Sequence, residues 1–188
     1  MYNLYDFDKT IYNGDSSIDF FLYSLKRNWS IFKYIPKDVI AIIKYKTKKI
    51  SKKEMKEIFF SFLNEIHDID IHIENFWHKY RRKIKKWYLL QEHSRDIIIT
   101  ASPDFLIEPI GIYLSVKDVI ATKVDKTTGK FTSNNCYGEE KVKRLYEKYS
   151  KIKVNEAYSD SLSDIPMLKL ATNQYLVKKD KITKINSK

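Results

Sequence analysis

The sequence predicts an α/β fold, a doubly wound parallel sheet carrying an inserted α-helical subdomain, on three observations. A short apolar run, Tyr2 to Phe7, stands alone before a turn at Asn13-Gly14-Asp15. From about Ser16 to Arg95 the apolar spacing is helical. From Asp96 onward, short β-branched runs alternate with helical stretches, as parallel strands joined by crossover helices do. The expected division is a core of residues 1–15 and 96–188 and a helical insert of residues 16–95.

Within the insert, Ser16-Ser17-Ile18-Asp19 reads as a capped helix start, opening an aromatic helical region through Phe20, Tyr23, Ile31 and Tyr34 to about Pro36. A second helix is expected through Val39 to Ile43. A third begins at Ser51-Lys52-Lys53-Glu54, a capping-box pattern, with Met55, Ile58, Phe59, Phe62 and Leu63 at helical spacing. A fourth, Ile73 to Gln91, puts Trp77, Ile84, Trp87 and Tyr88 on one face and Arg81, Arg82, Lys83, Lys85 and Lys86 mostly around the other. In the core, Asp96 to Thr100 reads as a buried strand, Pro103 as the first turn of a helix to about Leu114, and Asp118 to Thr122 as a strand. Lys126 to Lys130 is a hairpin turn. A helix from Gly138 to Tyr149, a strand around Val154 to Tyr158, a helix from Ser163 to Ala171 and a last strand, Gln174 to Val177, complete the order.

The 188 residues suffice for a sizeable core, and 43% hydrophobic content with only four Gly and four Pro argues against disorder. The single Cys136 forms no internal bridge and suits a reducing compartment. Met1 stands directly on the first strand and no apolar stretch reaches membrane-spanning length, so the cytoplasm is the expected location. The net charge of +11 is unevenly placed: residues 16–95 carry +9, residues 1–15 carry −2 and residues 96–188 carry +4. An excess of this kind invites a nucleic-acid or membrane reading. An aromatic stripe at helical spacing is ordinarily core and a charge run a solvated face, so no nucleic-acid partner is expected. Peripheral contact with an anionic membrane stays open. His67, His72, His78 and His93 follow no metal-ligand spacing and read as structural or surface residues.

Asp6 and Asp8 sit at the end of the first strand, two apart, so their carboxylates lean into one small volume. Two like charges so close raise one pKa unless a cation shares them, and Mg2+ is the usual partner of hard oxygen ligands. An exposed acidic turn is the alternative for this pentapeptide alone. The doubly wound order also brings Thr100, Ser102, Asp160 and Asp164 to the carboxyl ends of strands near the switch in strand order, where ligands bind in such sheets. Taken singly, each has a duller reading: Thr100 or Ser102 as a helix cap, Lys141 as a surface lysine, and Asp160 and Asp164 as partners of a helix dipole.

Four stretches, YDFDKTI, IIITASPDF, GEEKVKRL and YSDSLSDIPML, resemble in order and place the four motifs of the haloacid dehalogenase (HAD) superfamily, specifically its subfamily IB of phosphoserine-phosphatase-like hydrolases. The resemblance implies a HAD-like Rossmannoid core with a helical cap between motifs one and two. It implies Asp6 as the nucleophile of an aspartyl-phosphate, Asp8 as general acid and base, Thr100 as a donor to a phosphoryl oxygen, and Lys141 as the cation that positions Asp6. Asp160, with the Asp6 carboxylate and the Asp8 backbone carbonyl, is implied to hold Mg2+, and Asp164 to complete the shell. Thr10 and Ser102 are expected at the substrate. Two features depart from the commoner pattern: Lys9 stands where Gly is frequent, and Ser159 and Ser161 flank Asp160 where many relatives carry glycines. An aspartate at the place of Asp8 accompanies phosphate-ester chemistry in the superfamily, and dehalogenases lack it.

The same resemblance places specificity in the cap. Asp15, nine residues after Asp6, matches an acidic residue that phosphoserine phosphatases hold near the substrate amine; a turn or helix-start carboxylate is the equal alternative. A basic, aromatic cap implies an anionic phosphomonoester, first a small phosphorylated metabolite and second a phospholipid head group such as phosphatidylglycerophosphate. The rival from another class is a non-catalytic anionic-ligand binding protein that keeps the fold. The sequence leaves the substrate, the oligomeric state and the pathway open.

Overall fold

The computed structural model describes residues 1–185. Five parallel strands form its centre: β1 (Tyr2–Tyr5), β2 (Asp96–Pro103), β3 (Asp118–Thr122), β4 (Val154–Ser159) and β5 (Ala171–Lys178). A sixth, β6 (Lys181–Ile185), lies antiparallel to β5 and completes the order β3-β2-β1-β4-β5-β6. The sequence reading contained no strand at β6. Its hairpin turns through Lys179 at φ 54°, a left-handed residue without the Asn-Gly or Asp-Gly signature that would have announced it.

Alternation along each central strand sends successive residues to opposite faces. Tyr5, Ile98 and Tyr158 join one apolar cluster, while Leu4, Ile97, Ile99 and Ala157 join another. The first face also carries three tyrosines in register across β1, β4 and β5. Tyr5 stacks on Tyr158 at 4.8 Å and Tyr158 on Tyr175 at 4.6 Å. Such cross-strand aromatic pairs add to burial and help fix the register.

Between β1 and β2 the chain forms α1 (Ser16–Leu25), α2 (Ile35–Lys46), α3 (Lys52–Phe60), α4 (Ile69–Tyr80) and the short α5 (Lys86–Leu89). After β2 come α6 (Asp104–Tyr113), α7 (Glu139–Lys148) and α8 (Ile165–Leu168). Helices α1, α3, α4 and α5 share one apolar cluster with the Tyr5 face and α6, to which α2 contributes no residue; Trp77 Nε1 of α4 donates to the Leu106 carbonyl of α6 at 2.6 Å. Among the described residues no helix is long and apolar enough to cross a membrane.

The boundaries differ from the sequence reading where tertiary contacts override local pattern. Asp15, not Ser16, caps α1, accepting from Ile18 N at 3.1 Å, and the aromatic region breaks at Leu25 into a 3-10 turn over Trp29–Tyr34. The Ser51 capping box forms as expected, with Glu54 N donating to Ser51 Oγ and Ser51 N to Glu54 Oε2. The expected helix from Ile73 to Gln91 stops at Tyr80. A 3-10 turn over Arg81–Lys83 follows, and Ile84 and Lys85 then run extended beside residues 11–13, with Asn13 N donating to Lys83 O and Lys85 N to Ile11 O, both at 2.8 Å. Lys85, expected on a solvated face, is consequently buried, its ammonium donating to the carbonyls of Lys9 and Lys179. The helix expected from Ser163 to Ala171 is shorter: a 3-10 turn over Leu162–Asp164 leads into α8, which ends at Leu168, and Ala171 already opens β5.

One burial runs against the pattern. Asp38, in the first turn of α2, is 8% exposed and neither carboxylate oxygen has a hydrogen-bond partner among the described residues. Burial pushes its pKa up to about 6 against the opposing pull of Lys37. Between the ordinary carboxyl value and that figure the folded chain keeps a proton the unfolded chain releases, so this group's contribution to stability falls as pH rises through the window. Asp38→Asn is expected to raise Tm by about 2 °C at pH 7.5 and to change it little at pH 4, read by thermal unfolding. An equal gain at both pH values would contradict that origin.

Candidate active site

After β1 the chain builds β2 and β3 to one side of it, then β4 and β5 to the other, so the strand order reverses between β1 and β4. A crevice opens at the carboxyl ends on such a switch. Asp6 follows β1 and stays on the sheet, its N–H donating to Tyr158 O at 2.9 Å. Asp160 follows β4, and its N–H donates to Thr10 Oγ1 at 2.9 Å. The intervening turn passes through Lys9 at φ 59°, which costs a residue with a Cβ roughly 1 kcal/mol. It is held by Lys9 N on Gly14 O and by the Lys85 ammonium on Lys9 O. The left-handed turn is thus kept here with lysine, at the position where the sequence resemblance expected glycine. Neither Ser159 nor Ser161 needs a positive φ: Ser161 caps the 3-10 turn Leu162–Asp164 and Ser159 lies in β4.

Lys141, one turn into α7, is 1% exposed, and its Nζ lies 2.6 Å from Asp6 Oδ1 and 2.7 Å from Asp164 Oδ2. Burial alone would lower this lysine, but Asp6 and Asp164 outweigh it and hold the ammonium above its ordinary range. Burial raises Asp6 to about 6, opposed by Lys141 and reinforced by Asp164. Ser159 Oγ also donates to Asp164 Oδ2, at 2.7 Å.

Asp8 occupies different surroundings. Ser16 N at the start of α1 donates to its Oδ1 at 2.6 Å, and Ser102 Oγ on β2 donates to its Oδ2. These bonds favour the anion, yet burial together with the nearby Asp15 carboxylate raises Asp8 to about 7. Two aspartates two residues apart are thereby set in separate electrostatic roles.

Of the residues expected at the site, Asp6, Asp8, Asp15, Thr100, Ser102, Lys141, Asp160 and Asp164 line one cleft of about 540 Å³. Thr10 does not. Expected at the substrate, it is 0% exposed and sits behind Asp6, donating to Asp6 Oδ2 at 3.2 Å, so it positions the carboxylate. Thr100 Oγ1 accepts from Ser102 N at 3.1 Å, and its own proton remains to donate. Asp15 caps α1, as the helix-start reading expects, and also lines the cleft.

The cleft's other wall comes from the inserted helices: Ile18 of α1, Ile42 of α2, and Lys52, Met55, Lys56 and Phe59 of α3. Lys56 escaped the sequence reading because three lysines on one polar helix face look alike. Its Nζ reaches Ala101 O at 2.8 Å and Asn135 Oδ1 at 3.1 Å, and burial, with Lys52 nearby, lowers its pKa to about 8. The only signal available was its place between Met55 and Phe59 at the margin of the apolar stripe. A second cleft of about 730 Å³ lies between α6, β3 and α7, but its charges pair with one another, Lys123 with Glu108 and Arg144 with Glu140.

The residues fit a small hard cation. Asp164 Oδ1 is buried and has no hydrogen-bond partner among the described residues, an orphaned acceptor beside Asp6. The Asp160 carboxyl is raised by burial and by Asp164, as expected of an oxygen ligand lacking its counter-charge. No three Asp, Glu, His or Cys side chains gather into a cage among the described residues. Mg2+ does not require one, since it keeps several waters and takes one or two carboxylates. Both oxygens of the Asp8 carboxylate are engaged, which leaves its backbone carbonyl for a cation.

CicA of Caulobacter vibrioides is 33% identical over 84 residues, which are 42% of this chain and 38% of that protein, so the match spans well under two thirds of that relative. A protein of unknown function from Bordetella pertussis Tohama I has the same fold, with a TM-score of 0.73 at 20% identity over 91% of this chain and 86% of that one. A phosphoserine phosphohydrolase-like protein from Francisella tularensis aligns with a TM-score of 0.52 at 16% identity over 92% and 84%. A family model for haloacid dehalogenase-like hydrolases matches residues 4–169, β1 through α8. The chain belongs to that family of hydrolases.

Proposed function

We propose that this hydrolase is a magnesium-dependent phosphomonoester phosphatase working through an aspartyl-phosphate on Asp6. The observation that carries the reading is the unlike setting of Asp6 and Asp8 in one cleft: the first on a buried ammonium, the second raised to about 7 on hydroxyl and amide donors. The likeness to a phosphoserine phosphohydrolase-like fold supports it.

The Asp6 carboxylate attacks phosphorus and the ester P–O bond breaks. Asp8 gives its proton to the departing alkoxide. Water then attacks phosphorus on the opposite side, Asp8 takes its proton, and the bond to Asp6 breaks to return the carboxylate and free phosphate. Thr100 donates to a phosphoryl oxygen, and Lys141 neutralises Asp6 while fixing its position. Asp6, Asp160 and the Asp8 carbonyl would hold Mg2+, with Asp164 completing the shell, and the bound ion would supply charge neutralisation between the phosphate dianion and its carboxylate nucleophile. Lys52 and Lys56 on the inserted helices meet an anionic leaving group, and Asp15 a cationic substituent on it. A small phosphorylated metabolite is the first substrate class. A phospholipid head-group phosphate is the second, favoured by the aliphatic cleft mouth, where Ile18 and Ile42 are 50% and 44% exposed.

Asp6→Asn should abolish magnesium-dependent phosphate release across a panel of phosphate esters; undiminished turnover in that variant would remove Asp6 from the nucleophile's role. For an alkyl phosphate, kcat/KM should fall as pH rises through about 7, where Asp8 loses the proton it must donate. Asp8→Asn should cost about 10²–10⁴ in that rate, with less lost for an aryl ester whose leaving group needs no proton. A profile flat across neutral pH would reject the acid role. Lys56→Gln should raise KM several-fold with kcat nearly unchanged, the mark of lost uniform binding; a fall confined to kcat would place Lys56 elsewhere.

A further inference from the structure

Helix α2 is built inside out. Its acid, Asp38, and its small residue, Ala41, are buried, while its branched aliphatics Val39, Ile40, Ile42 and Ile43 are 50%, 52%, 44% and 56% exposed. The turn leading into it adds Trp29, 79% exposed and stacked on Phe32 at 4.9 Å. A helix packed only for stability turns these side chains the other way. A contiguous apolar face of this kind on a monomer marks a surface that meets something.

The charge around that face selects the occupant. Residues 26–53 carry ten Lys or Arg and one acid, Asp38, which is buried. A second copy of this chain seated face to face would oppose the same cations to each other. Nucleic acid would meet the cations but gains little from branched aliphatics, which neither stack on bases nor donate to them. An anionic bilayer satisfies both parts, taking apolar side chains at the acyl boundary and lysines at the headgroups.

We propose that the Trp29–Tyr34 turn and α2 form an interfacial docking face for an anionic lipid bilayer. Ile42 belongs to this face and also to the wall of the catalytic cleft. A docked chain therefore opens its cleft at headgroup level, within reach of a phosphate ester anchored in the membrane. The docking face itself stands without the phosphatase reading; only this last consequence rests on it.

The full chain is sedimented with vesicles of phosphatidylglycerol and phosphatidylcholine in equal parts, and with phosphatidylcholine vesicles alone. Expected are association with the anionic vesicles that weakens with added salt, little with the neutral ones, and a blue shift of Trp29 emission that Trp29→Phe removes. The double variant Ile40→Glu with Ile43→Glu, at exposed positions outside the cleft, should lose about tenfold in vesicle affinity while keeping its helical circular dichroism and its turnover of a water-soluble aryl phosphate. Absence of association with anionic vesicles would overturn the proposal, as would binding that the double variant leaves intact. Concentration-dependent dimerisation of the wild-type chain abolished by the same two substitutions would assign the face to a second copy and overturn it too.

Discussion

A lysine ammonium sealed from water between two carboxylates is the contact on which the site is built. Lys141 is nearly inaccessible and touches Asp6 and Asp164, which come from the ends of different strands. Desolvating three charges is costly, and their attraction offsets that cost only when the geometry is close and the spare valences are filled. Ser159 fills one at Asp164 and Thr10 one at Asp6. The remaining acceptor of this set, Asp164 Oδ1, is buried and has no hydrogen-bond partner among the described residues. Without the lysine, two carboxylates would face each other in a dry crevice, and the end of β1 would be pushed away from the end of β4. Asp8 lies outside this triad on its own donors, which leaves it free to carry a proton near neutral pH while Asp6 stays anionic.

Elements were legible in the sequence where local pattern and tertiary demand agree. The β-branched run before Thr100, the Ser51 capping box and the amphipathic helix bearing Lys141 all fall near their expected places. They do so because each follows from side-chain alternation or from capping chemistry within a few residues. The convergence of Asp6, Asp8, Thr100, Ser102, Asp160 and Asp164 on one cleft was legible for a related reason: at a topological switch, short polar stretches after strands become neighbours regardless of the distance between them along the chain. Lys141, on α7, stood out from its neighbouring lysines only through the motif resemblance.

What escaped was set by contacts between distant segments. Nothing local marks Ile84 and Lys85 as extended, because the segment's partners are residues 11–13, and a buried Lys85 satisfied by two carbonyls reads in sequence as one more basic residue. Thr10 looked like a substrate contact because it follows the acid pair; only the β4 loop reveals that Asp160 N and Asp6 claim its hydroxyl. The outward face of α2 was hidden by its composition, since four branched aliphatics in a helix are ordinarily core. The one residue hinting otherwise was Asp38, which has no apparent reason to be inside unless its neighbours have a reason to be outside.

The cleft sets Asp6 and Asp8 opposite the cationic rim of Lys52 and Lys56, and the central claim is that the phosphoryl group is transferred to Asp6 itself. Rapid acid quench of the enzyme during turnover with magnesium, followed by peptide mass spectrometry, tests this most directly. The account predicts one phosphoryl group on the peptide containing Asp6, absent when the ester is omitted. A phosphoryl group found on any other side chain would contradict it.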